Sequence, residues 1–453
     1  MNNDLLTVFD NHSNYLDSVE RDIKKRILFI KKLKKIFLIN IEEIYKALEL
    51  DLNKSRFEAY YSEIKLVLNE FDWFIKNLKR KMALKKISNN FYNFFSSRNR
   101  YLLEPYGVSL LITQSGLPIN KFFIPFVGLF ACGNTIFIKL PLSTVNCNKI
   151  IKKIVNFVFD ENIVYFVDEN ISDENFKNLL DLNFDLVFFL GTQSFSKVIN
   201  KAFVNKTTKL MMETHSKCPI IIDETADIEK AAKESVWGKS LSAGQFNFSP
   251  DYVVIHESVV NSYVKHFQNS LNLQYGDENE KLLPRISNKE KFDKITFLLY
   301  QAKLNKKILS GGKINKSMLK IEPTLVSVDN LKSPFLISEI KGTILPVVVY
   351  NSFSDIAGIV KHNENPSSIY IFSKSKGRIN YLINHLESKY FIINGILSQE
   401  GRGIPISGGL KKSGNLEYGG QYSINSFSYR KFIIKIINYK KAKYANNWNK
   451  NEN

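Results

Sequence analysis

Two patterns of apolar positions divide the chain. Between residues 15 and 85, apolar side chains such as Ile23, Ile27 and Ile30 recur at three- and four-residue steps. That period is typical of amphipathic helices. From 106 to 213, short apolar runs of strand length alternate instead with helical segments. The sequence therefore predicts a helical amino-terminal region followed by an alternating strand and helix region.

The strands of the alternating region are almost wholly apolar. Its four runs are YGVSLLI (106–112), NTIFIKL (134–140), IVYFVDE (163–169) and LVFFLG (186–191). Near-continuous apolar strands separated by helices predict a parallel sheet covered on both faces. The fold class is therefore α/β, with a doubly wound parallel sheet of the kind that binds nucleotides.

A second α/β region begins near residue 214. Its strands are predicted at VVIHES (253–258), LPVVVY (345–350) and SIYIFS (368–373). The last apolar run, SYRKFIIKII (428–437), predicts a strand that must pair with another strand. A neighbouring subunit is one candidate for that partner.

Composition predicts a soluble protein. The chain has 453 residues, enough for two or three domains, and 44% of them are apolar. Three cysteines are an odd number in a long chain, which argues against a disulfide framework and for a reducing compartment. The amino terminus shows no signal-peptide pattern, and the longest apolar stretch, 122–140, is interrupted by Pro125, Gly128 and Gly133. We expect a cytoplasmic protein without a membrane segment.

The net charge of +19 raises the alternative of a nucleic-acid or acidic partner, because clustered lysines neutralise phosphates. The lysines are, however, spread along the chain. The densest runs, 31–35 and 78–86, are interpreted as exposed helix faces. We therefore do not expect a dedicated nucleic-acid role, and this alternative depends on net charge alone.

A strand–turn–helix junction at LVFFLGTQSFSK suggests a phosphate site. The amino terminus of a helix presents unpaired N–H groups and the positive end of the helix dipole. Gly191 permits the sharp turn there, and Thr192 supplies a hydroxyl. A G-x-G-x-x-G sequence is absent after the first strand of the sheet, so the junction leaves nucleotide binding open.

Eight fragments, in order and at matching spacing, resemble the aldehyde dehydrogenase superfamily, closest to its class 3 branch. They are LNKSRFEAYYSEI (52–64), EPYGVSLLI (104–112), FVGLFACGNTIFIKLP (126–141), WGKSLSAGQ (237–245), SPDY (249–252), EPTLVSV (322–328), SEIKGTILP (338–346) and SGGLKKSG (407–414).

The resemblance implies an architecture and a reaction. The expected parts are an NAD(P)-binding-type domain (1–85 and 106–212), a catalytic-type domain (213–412) and a bridging or oligomerisation element (86–105 and 413–453). In the family, a thiolate attacks an aldehyde, and the oxyanion is held by a side-chain amide and a backbone N–H. Hydride passes to NAD or NADP, and a glutamate activates water. A homodimer acting on a small aldehyde is the implied assembly.

The residues that carry this chemistry are only partly present. The resemblance places the general base at Glu213, in MMETHSKCP, and the nucleophile at Asn247, 34 positions further on. It places the oxyanion donor at Gly116, in TQSGLP. An amide nitrogen has its lone pair delocalised into the carbonyl, so Asn247 is not a useful nucleophile. Cys218 and Ser249 are the two residues considered as substitutes.

Of the positions that match the family's cofactor contacts, some keep the family's residue type and others do not. Lys139 and Glu339 match residues that contact the two ribose rings, and Gly191 and Thr192 match the family's G-S pair. The departures are Ser196, His215, Ser216 and Lys341, where the family has glycines or an aromatic residue.

The leading hypothesis is therefore a family member whose aldehyde oxidation is lost or severely weakened, and which persists as a binding, structural or subunit-pairing protein. The first alternative is an active NAD(P)-dependent aldehyde dehydrogenase with an atypical nucleophile. The second is the basic nucleic-acid or acidic-partner binder.

Overall fold

The computed structural model describes residues 2–18, 22–87, 96–214, 216–276, 282–337, 340–363, 366–397 and 409–438. Its helices are α1 (Asn2–Ser18), α2 (Ile23–Ile39), α3 (Ile41–Leu52), α4 (Arg56–Ala59), α5 (Lys65–Lys81), α6 (Asn120–Cys132), α7 (Val145–Asn156), α8 (Asp173–Asp181), α9 (Gln193–Phe203), α10 (Ile228–Ser240), α11 (Val260–Tyr275), α12 (Lys289–Leu304), α13 (Pro334–Ile337), α14 (Asp355–His362), α15 (Lys376–His385) and α16 (Gln421–Phe427).

The strands follow the same numbering in chain order. They are β1 (Lys85–Ile87), β2 (Ser96–Pro105), β3 (Val108–Ile112), β4 (Thr135–Lys139), β5 (Val164–Phe166), β6 (Leu186–Leu190), β7 (Lys209–Glu213), β8 (Cys218–Ile222), β9 (Pro250–His256), β10 (Ile308–Ser310), β11 (Ile314–Asn315), β12 (Lys320–Ile321), β13 (Thr324–Ser327), β14 (Ile344–Tyr350), β15 (Ser368–Phe372), β16 (Tyr390–Ile393) and β17 (Ser428–Asn438).

The first sheet has five parallel strands in the order β5-β4-β3-β6-β7. The chain starts in the middle at β3, moves out through β4 and β5, and then returns to the other side at β6. The direction reverses between β3 and β6, and ligands of such sheets bind at the carboxyl ends of the strands at that point. The predicted doubly wound parallel sheet is confirmed.

Helices cover both faces of this sheet. Leu111 faces α2, α5, α6 and α7, whereas its neighbours Leu110 and Ile112 face α1, α8 and α9. The helix α1 begins before residue 15, where the periodicity predicted the first helix, and it buries His12 against Phe137. The sheet is apolar along its whole length because both faces are enclosed.

The second sheet has seven strands in the order β10-β13-β14-β9-β8-β15-β16. All neighbours are parallel except β10 and β13. It contains the three strands predicted for the second α/β region. The strands β7 and β8 are separated by only four residues, so the chain crosses from the first sheet to the second just after Glu213.

The last strand, β17, pairs with β2 of its own chain in an antiparallel ladder that runs from Ser428 opposite Pro105 to Asn438 opposite Ser96. The strand that β17 was predicted to need is therefore β2 on this edge, and the candidate named from the sequence, a neighbouring subunit, is not its partner here. In the three-stranded order β1-β2-β17 the other edge of β17 is outermost.

Among the described residues, no helix is both long and apolar enough to cross a membrane.

Candidate active site

Glu213 and Asn247 meet where the two sheets adjoin. Glu213 is the last residue of β7, and Asn247 lies in the short segment before β9. The Asn247 side-chain nitrogen Nδ2 donates a hydrogen bond of 2.6 Å to Glu213 Oε1. Both side chains are buried, with 2% and 1% exposure. The structure thus brings together the residues that the sequence assigned to general base and nucleophile.

A third charged group, Lys121, completes this cluster. Lys121 lies on α6, and its Nζ is 3.6 Å from Glu213 Oε1 in a pair that is 1% and 2% exposed. The same ammonium donates to the Tyr418 hydroxyl over 2.9 Å and lies 5.7 Å from the centre of the Phe248 ring. One carboxylate oxygen therefore contacts both a lysine and an amide in an aromatic surrounding.

Sequence reasoning missed Lys121. Its helix reads NKFFIPFVGLFAC, and the structure buries every residue of it. A single lysine in an otherwise apolar helix was the available signal, because a buried lysine needs a partner of opposite charge or several acceptors.

Two acceptor atoms of the cluster receive no hydrogen bond from the described residues. Glu213 Oε2 and Asn247 Oδ1 are buried and have no hydrogen-bond partner within the described ranges. Each such atom costs free energy unless a donor reaches it. The orientation of the amide is the one that the network favours, because its nitrogen rather than its oxygen must face a carboxylate.

The segment before Asn247 is held in an unusual backbone conformation. Ser242, Ala243 and Gly244 all have positive φ angles of 50°, 51° and 68°. Left-handed geometry at a residue with a β-carbon costs about 1–2 kcal/mol. Neighbours fix it: the Ser242 N–H donates to buried Glu58 over 2.7 Å, and a β-carbon on Gly244 would lie 2.3 Å from the carbonyl oxygen of Gly342.

Gly116, the residue at the oxyanion-donor position, packs against the same segment. A β-carbon there would lie 2.3 Å from the backbone carbonyl oxygen of Gln245. The Gly116 carbonyl oxygen accepts hydrogen bonds from the Ser242 hydroxyl and from Lys54. The position therefore has no side-chain amide and, with this backbone, has no room for one.

Neither of the two candidate substitute nucleophiles forms a hydrogen bond with Glu213 in the described residues. The Cys218 thiol lies 3.7 Å from the Asn247 carbonyl oxygen and 3.6 Å from the Ser216 hydroxyl. Burial, with a smaller effect of the Asp251 charge, raises the pKa of Cys218 to about 12. The Ser249 hydroxyl faces the Gly238 carbonyl oxygen at 3.5 Å. A thiol with a raised pKa is a poor nucleophile because little thiolate forms near neutral pH.

A cavity of about 470 Å³ lies at the carboxyl ends of β3, β4 and β6, where the strand order of the first sheet reverses. Lys139, Gly191, Thr192 and Lys341 line it. The Thr192 hydroxyl caps α9 by accepting from the Phe195 N–H over 3.3 Å. The cavity therefore opens at the amino terminus of an eleven-residue helix, at the strand–turn–helix junction that the sequence predicted.

Lys139 and Gly191 shape the wall of this cavity. Burial lowers the pKa of Lys139, and its Nζ donates to the Glu169 carbonyl oxygen at 3.0 Å. At Gly191, a β-carbon would lie 2.3 Å from the Phe189 ring, which also lines the cavity, so a larger residue there would have to displace that ring. The proposed ribose contact Glu339 and the departure at His215 lie outside the described residues. Within the described ranges, no cluster of three or more metal-ligating side chains occurs.

Comparisons with known proteins identify relatives of this chain. A profile of the aldehyde dehydrogenase family matches residues 17–433. The 4,4'-diaponeurosporen-aldehyde dehydrogenase of Staphylococcus aureus is 32% identical over 94% of this chain and 92% of its own length. Mouse aldehyde dehydrogenase family 3 member B2 is 29% identical, covering 91% and 85% respectively. A substrate-bound structure of Staphylococcus aureus AldH superposes with a TM-score of 0.91 and 30% identity over 98% of both chains.

Proposed function

The chain belongs to the aldehyde dehydrogenase family, and we propose that it is a member whose aldehyde-oxidising activity is lost or severely weakened. The similarity to a family 3 member confirms the resemblance to the class 3 branch. The observation that carries the proposal is the position of Asn247, whose amide donates to Glu213 in the place assigned to the nucleophile.

An asparagine cannot replace a thiolate at this point. Its nitrogen lone pair is delocalised, and its carbonyl carbon is an electrophile rather than a nucleophile. Without a nucleophile no hemiacetal-type adduct forms from which hydride can depart. A second loss, the amide donor at Gly116, acts on the same step, and removing one oxyanion donor costs about 100- to 1,000-fold in rate.

Glu213 has only one carboxylate oxygen available for a water molecule. Its Oε1 accepts from Asn247 and is paired with Lys121, whereas Oε2 has no hydrogen-bond partner within the described residues. Because Oε2 is buried, a water molecule would first have to enter the cluster to reach it.

NAD or NADP is the cofactor that the cavity suits, and when bound it accepts a hydride. We assign its binding to Lys139, Gly191 and Thr192, with Glu339 as a further ribose contact. The amino terminus of α9 supplies free N–H groups for the pyrophosphate. The ammonium of Lys139 offers a hydrogen-bond donor at the end of β4. Retained cofactor binding is compatible with lost oxidation because the two depend on different residues.

The alternative of an active enzyme with an atypical nucleophile requires Cys218 or Ser249 to take over. Their contacts favour inactivity, since neither hydroxyl nor thiol donates to Glu213 in the described part of the chain. The test is to incubate the protein with aldehyde and NAD or NADP, denature it, and search its peptides for an acyl group by mass spectrometry. No acylated peptide is expected, and an acyl group on Cys218 or Ser249 would establish the alternative.

We further propose that the protein is a cytoplasmic homodimer with the domain division given by the sequence. The outer edge of β17 carries exposed Phe432 and Ile434, which supports a subunit contact there. The apolar core nevertheless joins Tyr418 and Phe427 to the first sheet's helices, so the carboxyl-terminal part packs closely on the nucleotide-binding-type domain.

The alternative of a nucleic-acid-binding role is supported only by the net charge of the chain.

A further inference from the structure

We propose that Lys121 and Asn247 become joined by an intramolecular amide bond, with Glu213 as the group that transfers the protons. The bond would run from Lys121 Nζ to Asn247 Cγ. It uses the three buried side chains that meet at one carboxylate oxygen, and it does not depend on any aldehyde or cofactor. It therefore goes beyond the proposed loss of oxidation and can fail independently of it.

The first argument is the position of the proton carrier. Glu213 Oε1 lies 3.6 Å from the amine that must lose a proton and 2.6 Å from the amide nitrogen that must leave. A general acid–base has to be within hydrogen-bond reach of the atoms it serves, or close enough to reach them by a small movement. One oxygen here faces both the attacking nitrogen and the leaving nitrogen.

The second argument is that the three side chains are buried next to aromatic rings. The three side chains are 1–2% exposed, and the Phe248 and Tyr418 rings flank the Lys121 ammonium. Water is therefore kept away from the reacting groups, and the protons of the reaction are exchanged between the three side chains themselves.

The third argument is that the product would relieve an unsatisfied cluster. Asn247 Oδ1 and Glu213 Oε2 have no hydrogen-bond partner in the described residues. When the amine attacks, negative charge develops on Asn247 Oδ1. The Tyr418 hydroxyl belongs to the same cluster, because it accepts a hydrogen bond from Lys121 Nζ over 2.9 Å. The linked state also removes one buried charge pair.

The atoms balance without an oxidant. Glu213 takes a proton from the Lys121 ammonium, and the free amine attacks Asn247 Cγ. A carbon–nitrogen bond forms, the Cγ–Nδ2 bond breaks, and Nδ2 leaves as ammonia after receiving the proton back from Glu213. The new amide nitrogen gives its remaining extra proton to Glu213, and ammonia departs. The products are one amide bond, one ammonia molecule and a Glu213 side chain that carries a proton in place of its charge.

The bond would tie α6 to the segment between α10 and β9. These elements lie on opposite sides of the crossing after Glu213, so the link would fasten the two sheet regions to each other. A covalent cross-link between distant positions restricts the unfolded chain and so favours the folded one.

The test is the mass of the intact native protein after folding. Linked protein is lighter than its sequence predicts by one ammonia, about 17 Da. Trypsin should then release a branched peptide joining residues 101–139 to 240–265, because a linked Lys121 is no longer a cleavage site. A native mass equal to the sequence mass overturns the proposal, and it does so whether or not any variant folds.

Variants separate the link from other losses of ammonia. Lys121→Met and Glu213→Gln should keep the full sequence mass. Asn247→Asp should lose water instead and reach the same final mass as the linked native protein. Lys209→Met is the matched control, since Lys209 also donates to a tyrosine hydroxyl but lies elsewhere, and it should retain the link. A loss of about 17 Da that persists in Lys121→Met indicates cyclisation of an asparagine and overturns the proposal.

Discussion

The α-carbon of Gly116 faces the backbone carbonyl oxygen of Gln245 so closely that a β-carbon would lie 2.3 Å from that oxygen. The contact fixes the turn at the oxyanion-donor position against the segment that carries Asn247. It also means that an asparagine amide cannot simply be restored there, because the obstacle is backbone rather than a movable side chain.

We therefore expect Gly116→Ala to lower the free energy of unfolding by about 1–3 kcal/mol, the usual cost of overpacking a buried site. Chemical denaturation measures the change. The control is Gly358→Ala on α14, where a β-carbon meets nothing within 4 Å. That exposed helical site should gain about 0.5–1 kcal/mol from alanine. Equal free energies of unfolding of the two variants would show that position 116 has room for a β-carbon.

Asn247→Cys should restore a weak aldehyde oxidation. The new thiol would lie beside Glu213, in the position the family uses, while Gly116 still lacks the amide donor. We expect a rate about 100- to 1,000-fold below that of an ordinary enzyme, measured as NAD(P)H formation. Adding Lys121→Met should raise it further, because Glu213 is then released from its ion pair.

Ser249→Cys is the matched control for that experiment. It places a thiol two residues away, at an equally buried site that faces Gly238 rather than Glu213. No oxidation is expected. If both cysteine variants stay inactive, the loss of oxidation is caused by the cofactor-binding residues or by the Glu213 cluster rather than by the missing thiol.

His12 should make the protein sensitive to acid. Burial on the sheet beside Phe137 lowers the pKa of His12 to about 4 from its usual 6.5. Between these values the unfolded chain binds a proton that the folded chain does not, so the free energy of unfolding falls as pH drops through this window. The loss amounts to at most about 3 kcal/mol. Denaturation of His12→Leu across pH 4–7 should show a smaller decline than the native protein.

NAD or NADP should raise the thermal midpoint if the cavity at Lys139 and Thr192 is its site. Ligand at about 100 times its dissociation constant adds roughly 2.7 kcal/mol to the free energy of unfolding. Gly191→Val should abolish the shift, because its side chain displaces the Phe189 ring that lines the cavity. Gly377→Val, at an exposed site with nothing within 4 Å, should preserve the shift. No shift in the native protein at millimolar cofactor would remove NAD(P) from the proposal.

Subunit pairing along β17 should depend on its exposed apolar residues. Ile434 is 69% exposed on the outermost strand of the three-stranded sheet. Ile434→Asp should convert a dimer to a monomer in light scattering, because a buried unpaired carboxylate is costly at an interface. Leu304→Asp, at an 82% exposed site on α12, should leave the oligomeric state unchanged. A native monomer would exclude the pairing.

Most of the sheet framework could be predicted from the sequence. The runs at 106–112, 134–140, 163–169 and 186–191 are so apolar that only strands enclosed on both faces explain them, and the structure places β3, β4, β5 and β6 there. By contrast α1 was missed over its first turns, although Leu5, Val8 and Phe9 follow the three- and four-residue spacing of a helix and pack on the sheet. The resemblance had grouped 86–105 with 413–453, but the pairing of β17 with β2 was not predicted, because strand pairing over more than 300 positions leaves no local signal.

The site was predictable only where a motif fixed it. The resemblance assigned Glu213 and Asn247 to the general-base and nucleophile positions, and the structure joins the two side chains by a hydrogen bond. Lys121 lies 92 positions before Glu213 in a helix that resembles ordinary core, so its pairing depends on tertiary packing. The close contact between Gly116 and a backbone carbonyl oxygen could not be predicted either, because that carbonyl lies 129 positions away in the sequence.

The central claim is that no side chain of this protein performs the nucleophilic step. The most direct measurement is continuous absorbance at 340 nm with the unmodified protein, NAD or NADP, and a panel of short aliphatic, aromatic and long-chain aldehydes. We predict an aldehyde-dependent slope indistinguishable from that without protein. A turnover above about 1 s⁻¹, within the ordinary range of enzymes, would contradict it.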